Sequence, residues 1–374
     1  MNLTLLGPDA ALDIIQSMAE QQQPSRRDFL RGKAAVDAAG QLADGTLSGA
    51  VPAVGRPAFL VSVERTAMAC QFQFLLNPVQ QSHATEAALE ALDLVEQLED
   101  QMTVYRDHSE ISQLNRAAFD SPVAVEARLY ELLRYACELS VQTRGAFDIT
   151  SGPLIKTWGF FRRAGRFPTD DEIAEVLERI GSKHLLWNDA ERTVRFSKPD
   201  LEINLGGIGK GHALDRCREV MLSSDVEDFL IHGGQSSVLA QGDRQGLSGW
   251  TVTLRHPLKT DEPLAEICLR NRALGTSGAA KQFFHYQGKR FGHVLNPRTG
   301  RPAEGVLSAT VLAPDAAAAD ALSTAFYVMG VDETQAYCEE HPEIGALLVT
   351  PGARTGAVEV HCLQIDENDI RTAH

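Results

Sequence analysis

Apolar and polar positions change period several times along the chain, and each change marks a predicted element. Residues 58–77, AFLVSVERTAMACQFQFLLN, alternate and are rich in Val and Phe, which predicts one or two strands. Residues 83–105, HATEAALEALDLVEQLEDQMTVY, place Ala88, Leu92, Val95 and Leu98 or Met102 at helical spacing. The opposite face carries Glu90, Asp93, Glu96 and Asp100, as a solvated surface does. In YRDHSEISQLN, Ser109 and Glu110 read as a helix cap after a turn. RLYELLRYACELSVQT is a further helix stopped by Gly145, and DDEIAEVLERIGS another, capped by Thr169 or Asp170 with Gly181 after it. KHLLWN, RTVRFS and LEINL follow as strands, and GHALDRCREVMLSS as a helix. DFLIHGG, SVLAQG, WTVTLRH and AEICLR read as strands of one sheet, AAAADALSTAFYVMG as a helix and GALLVT as a late strand. Strands and helices mix without strict alternation, so the expected fold class is α+β rather than a doubly wound sheet.

Composition narrows this picture. A chain of 374 residues, 44% hydrophobic and 23% charged, has ample material for a core and room for two domains or one elaborated domain. Its formal net charge of -15 argues against nucleic-acid binding, which leaves a basic footprint. An acidic protein that holds an anionic phosphate needs backbone amides, a lysine or a metal ion to do so. The cysteines at 70, 137, 217, 268, 338 and 362 form no CxxC or Cys/His cluster, which argues against zinc and for buried reduced thiols. No apolar run approaches the roughly 20 residues of a membrane span. Residues 1–55 form a small-residue and polar extension, and the globular part runs from 56 to 374. Within the extension, SRRDFLR at 25–31 is similar to a twin-arginine export motif. The stretch after it is Ala/Gly-rich and interrupted by Asp37 and Asp44, so the reading favours a cytoplasmic protein over export by a degenerate signal.

The candidate chemistry begins at LEINLGGIGKGHALD, residues 201–215. A Walker A loop requires Ser or Thr after its lysine, and Lys210 is followed by Gly211. A dinucleotide fingerprint orders its glycines differently and sits near a first strand. Both fail, leaving a turn whose backbone can approach a phosphate at the start of a helix. Four further stretches carry polar groups without a core role: YRDHSEISQLN, GAFDITSGPLIKTWGF, the TSG turn leading to GHVLNPRTG, and APDAAAADALSTAF. In the last, Asp320 and Thr324 lie four apart on one helical face and are oxygen donors suited to magnesium.

In this order the motifs resemble the ApbE family of FAD:protein FMN transferases, over about residues 64–350. The match runs through MAC at 68–70, the region from Tyr105 to Asn115, GAFDITSGPL, NLGGIGKGHALD, TSG with HVLNPRTGRP, and ADALSTA. The resemblance implies a T-fold-like architecture with mixed or antiparallel sheets and packed helices. It also implies magnesium-dependent splitting of FAD, transfer of FMN to a Thr or Ser of a target protein, and release of AMP. Some members hydrolyse FAD to FMN and AMP. By the same resemblance, Met68, Tyr105, Ala146, Phe147, Asp148, Asn204, Lys210, Leu274, Thr276 and Ser277 bind FAD. Gly207, through its backbone oxygen, Asp320 and Thr324 are the metal positions, and His293 sits beside the reacting phosphate as a candidate proton acceptor.

Several positions depart from the family pattern. Ala69 replaces a glycine, Asn204 an aspartate, and Gln235 the acid of a GGD turn, while Ala279 and Ala280 stand where an acid and an aromatic are usual. These losses keep two alternatives in view: a FAD pyrophosphatase with water as nucleophile, and a flavin-binding protein without turnover. The expected partners are FAD and a protein acceptor, with no nucleic acid and no transmembrane segment.

Overall fold

The computed structural model describes residues 59–78, 83–162, 165–278, 283–354 and 356–372. The extension at 1–55 and its SRRDFLR motif lie outside the described residues, as do Ala279 and Ala280.

Strands β1 (Val61–Ala67) and β2 (Cys70–Leu76) are joined at Met68 and Ala69, whose φ angles are 49° and 57°. A two-residue hairpin turn demands such left-handed backbone at both positions. Ala69 accepts there a conformation that a glycine would adopt without cost. Helix α1 (His83–Met102) buries the predicted stripe of Ala88, Leu92, Val95, Leu98 and Met102, together with Ala84, Ala87 and Ala91. α2 (Glu110–Ala117) is capped by Ser109, whose hydroxyl accepts from the Ser112 amide at 3.0 Å. After β3 (Val123–Ala124) come α3 (Ala127–Gln142) and the short α4 (Gly152–Thr157). α5 (Asp170–Leu177) starts at a Thr169–Glu172 capping box, which settles the cap in favour of Thr169.

β5 (Thr193–Phe196) pairs with both β3 and β4 (Leu185–Asn188) in a small sheet. LEINL is not a strand: Glu202 makes an isolated parallel bridge with Ser151, and the Asn204 amide bonds to the Ile149 carbonyl at 2.7 Å. Its apolar residues face the core from irregular backbone. α6 (Gly209–Ser223) leaves the glycine cluster as expected. β6 (Phe229–Gly233) and β7 (Ser237–Gln241) enter the main sheet, whereas β8 (Trp250–Arg255) and β9 (Pro263–Leu269) form a separate one. The expected single sheet is therefore two. β10 (Arg272–Gly278) contains Thr276, Ser277 and Gly278, so the TSG triplet ends a strand instead of forming a turn. The hairpins β11 (Phe283–Tyr286) with β12 (Lys289–Gly292), and β13 (Leu295–Asn296) with β14 (Arg301–Pro302), precede β15 (Ser308–Ala313).

Helix α7 (Ala316–Glu340) runs past its predicted end. Gly330, at φ 76° and ψ −172°, breaks the helical backbone there, and a second helical stretch follows. β16 (Gly345–Pro351), β17 (Val358–Leu363) and β18 (Ile370–Thr372) complete the chain, β18 pairing with β9. Among the described residues the main sheet has eight strands in the order β1-β2-β6-β7-β10-β15-β16-β17, and from β2 to β17 neighbours run antiparallel. This is the expected α+β class. α7 lies across β10 and β15, α6 packs on α7, and α1 on α6. The first half of α7 is buried on all sides, as a helix held between a sheet and other helices must be.

All six cysteines are free; Cys217 and Cys338 are buried, but Cys70, Cys137 and Cys268 are half-buried and Cys362 is exposed. No helix among the described residues is long and apolar enough to cross a membrane.

Candidate active site

Two glycines set the spacing at the centre of the molecule. A side chain at Gly211 would begin 2.0 Å from the Ala316 carbonyl oxygen, and one at Gly275 would begin 2.3 Å from that of Ala319. The backbones of α6 and β10 therefore both touch the first turn and a half of α7, which holds Asp320 between them. Asp320 is buried, and its carboxylate is met from three directions. Oδ1 accepts from the Ser237 hydroxyl at 2.6 Å, Oδ2 accepts from the Gly211 amide at 2.7 Å, and Lys210 Nζ lies 3.6 Å from Oδ2. The amide comes from the first turn of α6, where helix N–H groups have no partner of their own.

One turn on, Thr324 Oγ1 lies 3.1 Å from Ser277 Oγ, which is also 2.9 Å from Ser323 Oγ. Gly207 is beside them: a side chain there would start 3.6 Å from Thr324 Oγ1 and 3.2 Å from the Phe147 ring. The fold thus brings together Phe147, Gly207, Lys210, Ser277, Asp320 and Thr324. The donors are a carboxylate and hydroxyls beside the Gly207 backbone, an oxygen set that fits a hard cation such as magnesium. Among the described residues no group of three or more His, Cys, Asp or Glu could hold a metal, so a thiolate- or imidazole-rich centre has no counterpart here.

The β1–β2 turn reaches the same centre. The Met68 amide donates to Glu99 Oε2 of α1 at 2.9 Å. Burial pushes the Cys70 thiol above its ordinary range, Lys210 pulls it down, and Asp320 and Glu99 push it further up. The residue that follows Ala69 is thereby within the field of the Lys210–Asp320 pair. Asn204 keeps a local role despite its lost charge, because its Oδ1 accepts from the Gly206 amide at 2.8 Å and closes the turn into the glycine cluster. Gln235, in the place of an acid, is exposed at φ 65°.

A second group gathers on residues 160–161. The exposed Tyr105 ring stacks on Phe161 with centroids 4.8 Å apart, and Lys156 Nζ stands 5.2 Å from the centre of the Phe161 ring. Phe160 meets the half-buried His293 edge-on at 6.5 Å.

Three further residues expected at the cofactor have partners within the protein. Asp148 is buried with both oxygens engaged: Oδ1 accepts from the Thr150 amide and hydroxyl of its own loop at 2.8 and 2.6 Å, and Oδ2 accepts from the Ser182 amide, 34 residues on, at 2.9 Å. That carboxylate fixes the loop carrying the buried Ala146 and Phe147. Leu274 is 1% exposed and paired on both sides, to Val238 and Leu312. Thr276 directs its hydroxyl to Thr310 at 3.0 Å. Ser237 and Glu99, which touch Asp320 and Met68, were not singled out from sequence. Ser237 opens a strand that reads as core, and Glu99 sits at the margin of the acidic face of α1.

The family model for the ApbE family matches residues 66–348, the span over which the motifs occur. The chain belongs to the ApbE family. It is 32% identical over 260 residues to a protein named FAD:protein FMN transferase from Vibrio cholerae, covering 68% of this chain and 77% of that one. A protein of the same name from Treponema pallidum is 32% identical over 297 residues, covering 75% and 81%. Among solved structures, the ApbE protein of Thermotoga maritima superposes with a TM-score of 0.72 at 31% identity, over 80% of this chain and 96% of that one. The flavin transferase ApbE of Vibrio cholerae superposes at 0.70 and 27% identity, over 82% and 98%. The ApbE fold is thus present at nearly the full length of those structures.

Proposed function

We propose that this chain transfers FMN from FAD to a Thr or Ser of a target protein, with magnesium, and releases AMP. Membership of the ApbE family and relatives named FAD:protein FMN transferase support flavin transfer. The observation that carries the finer reading is the Asp320 centre, where one buried carboxylate, a lysine, a helix-start amide and a cluster of hydroxyls converge.

Asp320, Thr324 and the Gly207 carbonyl would hold the metal. Magnesium, when bound, supplies neutralisation of the pyrophosphate charge. Lys210 adds a second positive charge next to Asp320, and Phe147 with the Gly206–Gly207 turn shapes the approach to the phosphates. Tyr105, stacked on Phe161, offers an exposed aromatic face to a flat ring system. In the transfer, the acceptor hydroxyl oxygen attacks the FMN phosphorus, and the bond from that phosphorus to the bridging oxygen breaks. AMP departs with that oxygen, and His293 takes the hydroxyl proton.

Chromatography of AMP from protein mixed with FAD and magnesium, with and without an acceptor domain, tests the reading. Release that depends on the acceptor supports transfer. Equal release without acceptor would assign a FAD pyrophosphatase, and bound FAD without AMP a flavin-binding protein.

A further inference from the structure

We infer that Asp215 is a positioning residue for Asp320, the two forming a reciprocal clamp between the starts of α6 and α7. The inference rests on the reading of Asp320 as a metal ligand.

Each helix supplies a carboxylate to first-turn amides of the other. The Gly211 amide in the first turn of α6 donates to Asp320 Oδ2 of α7 at 2.7 Å. In return, the Ala316 and Ala317 amides in the first turn of α7 donate to Asp215 Oδ1 and Oδ2 of α6, both at 2.9 Å. Gly211 and Asp215 are four residues apart, as are Ala316 and Asp320, so each pair spans about one helical turn. The two sets of bonds are rungs one turn apart on the same pair of helices. Contact between the Gly211 backbone and the Ala316 carbonyl leaves no slack between the rails.

Capping alone does not account for Asp215. α7 already has its own N-cap, Asp315, whose side chain accepts from the Ala318 amide at 2.7 Å. A second carboxylate at the same helix start repels the first, and burial together with Asp315 raises the Asp215 carboxyl to about 7. The groups facing the pair are Arg218, 3.3 Å from Asp215 Oδ1 and bonded to the Pro314 carbonyl at 3.0 Å, and Tyr135, 3.3 Å from Asp315 Oδ2. Two like charges are kept together at a cost, and what the Asp215 rung adds is a fixed distance between α6 and the Asp320 carboxylate.

Residue-level amide exchange and magnesium titration on the full chain test the inference, with Asp215→Ala compared against Asp315→Ala. In Asp215→Ala the Gly211 amide, which does not touch Asp215, should exchange at least tenfold faster, and magnesium affinity should fall about tenfold. In Asp315→Ala the Ala318 amide should exchange faster, with Gly211 and magnesium affinity unchanged. Wild-type protection of Gly211 in Asp215→Ala, or equal loosening in both variants, would overturn the inference. Should Asp215→Ala fail to fold, Asp215→Asn retains one acceptor oxygen and should show a threefold or greater effect on Gly211; no effect would overturn the clamp. If the wild-type protein binds no magnesium, the metal reading of Asp320 falls, while Gly211 exchange still decides the clamp.

Discussion

The Asp320 centre and the Tyr105–Phe161 platform are built on opposite terms. At Asp320, helix and strand backbones touch, every carboxylate oxygen is engaged, and a methyl group would not fit at Gly211 or Gly275. At Tyr105, which is 70% exposed, the ring stacks on Phe161, over which Lys156 stands. On the proposed function, the contrast separates two tasks, holding the pyrophosphate and holding the flavin ring. Charge on a pyrophosphate is stabilised by groups that do not reorganise, so their positions are built into the core. A flat ring that enters and leaves is served by a face open to solvent.

The comparison predicts a hierarchy of effects. Gly211→Ala should cost about 3 kcal/mol or more in denaturant unfolding, because the clash is with main chain that cannot rotate away. A loss below about 1 kcal/mol would mean that the helices are looser than the contact implies. Asp320→Asn preserves shape and keeps one oxygen acceptor, so the protein should stay folded while magnesium-dependent turnover drops by about 100-fold, or about 2.7 kcal/mol. Full activity would remove Asp320 from the metal site.

Next in size is a pH effect in the sheet that leads to the centre. Burial lowers the His232 imidazole from 6.5 to about 4, with Nε2 paired to Gln73 at 2.9 Å. Between pH 4 and 6.5 the unfolded chain therefore binds a proton at this residue that the folded chain refuses. Stability contributed by the neutral ring is complete above pH 6.5 and is lost as pH falls toward 4. His232→Gln should flatten the stability–pH slope across that window by about one proton, roughly 1.4 kcal/mol per pH unit. An unchanged slope in denaturation series would contradict it. The smallest stability effect belongs to the open region: Tyr105→Ala should change unfolding free energy by less than about 0.5 kcal/mol. It should nevertheless raise the KM for FAD several-fold; an unchanged KM would take the platform out of the flavin site.

The same contrast explains how far the sequence could be read. α1 and α5 were legible because each has one wet face and a clear cap or stripe, Leu92 and Val95 inward, Asp93 and Glu96 outward. β15, reading SATVLA, was missed because it is buried along nearly its whole length between β10 and β16 and so shows no alternation. LEINL has a strand's composition, but its backbone bonds go to a loop, a tertiary fact without a local signal. Helix α7 outran its prediction because Gly330 looked like a stop and acts as a kink. Lys210, by resemblance, and Asp320 and Thr324, by spacing, were expected to lie together; Lys210 Nζ is 3.6 Å from Asp320 Oδ2, and Thr324 sits one turn on from Asp320. Asp148 was expected at the cofactor; the structure adds what the sequence did not show, that its carboxylate satisfies the Thr150 amide of its own loop and the Ser182 amide 34 residues on. Ser237 was invisible because only the packed sheet brings its hydroxyl to a carboxylate 83 residues away in sequence.

The most direct test of the central claim is the intact mass of an acceptor domain after incubation with FAD and magnesium, using wild-type protein and Asp320→Asn side by side. The account predicts a gain of one FMN with the wild type, abolished by chelating the metal and absent with the variant. An acceptor of unchanged mass with folded, FAD-bound wild-type protein, or equal labelling by the variant, would contradict it.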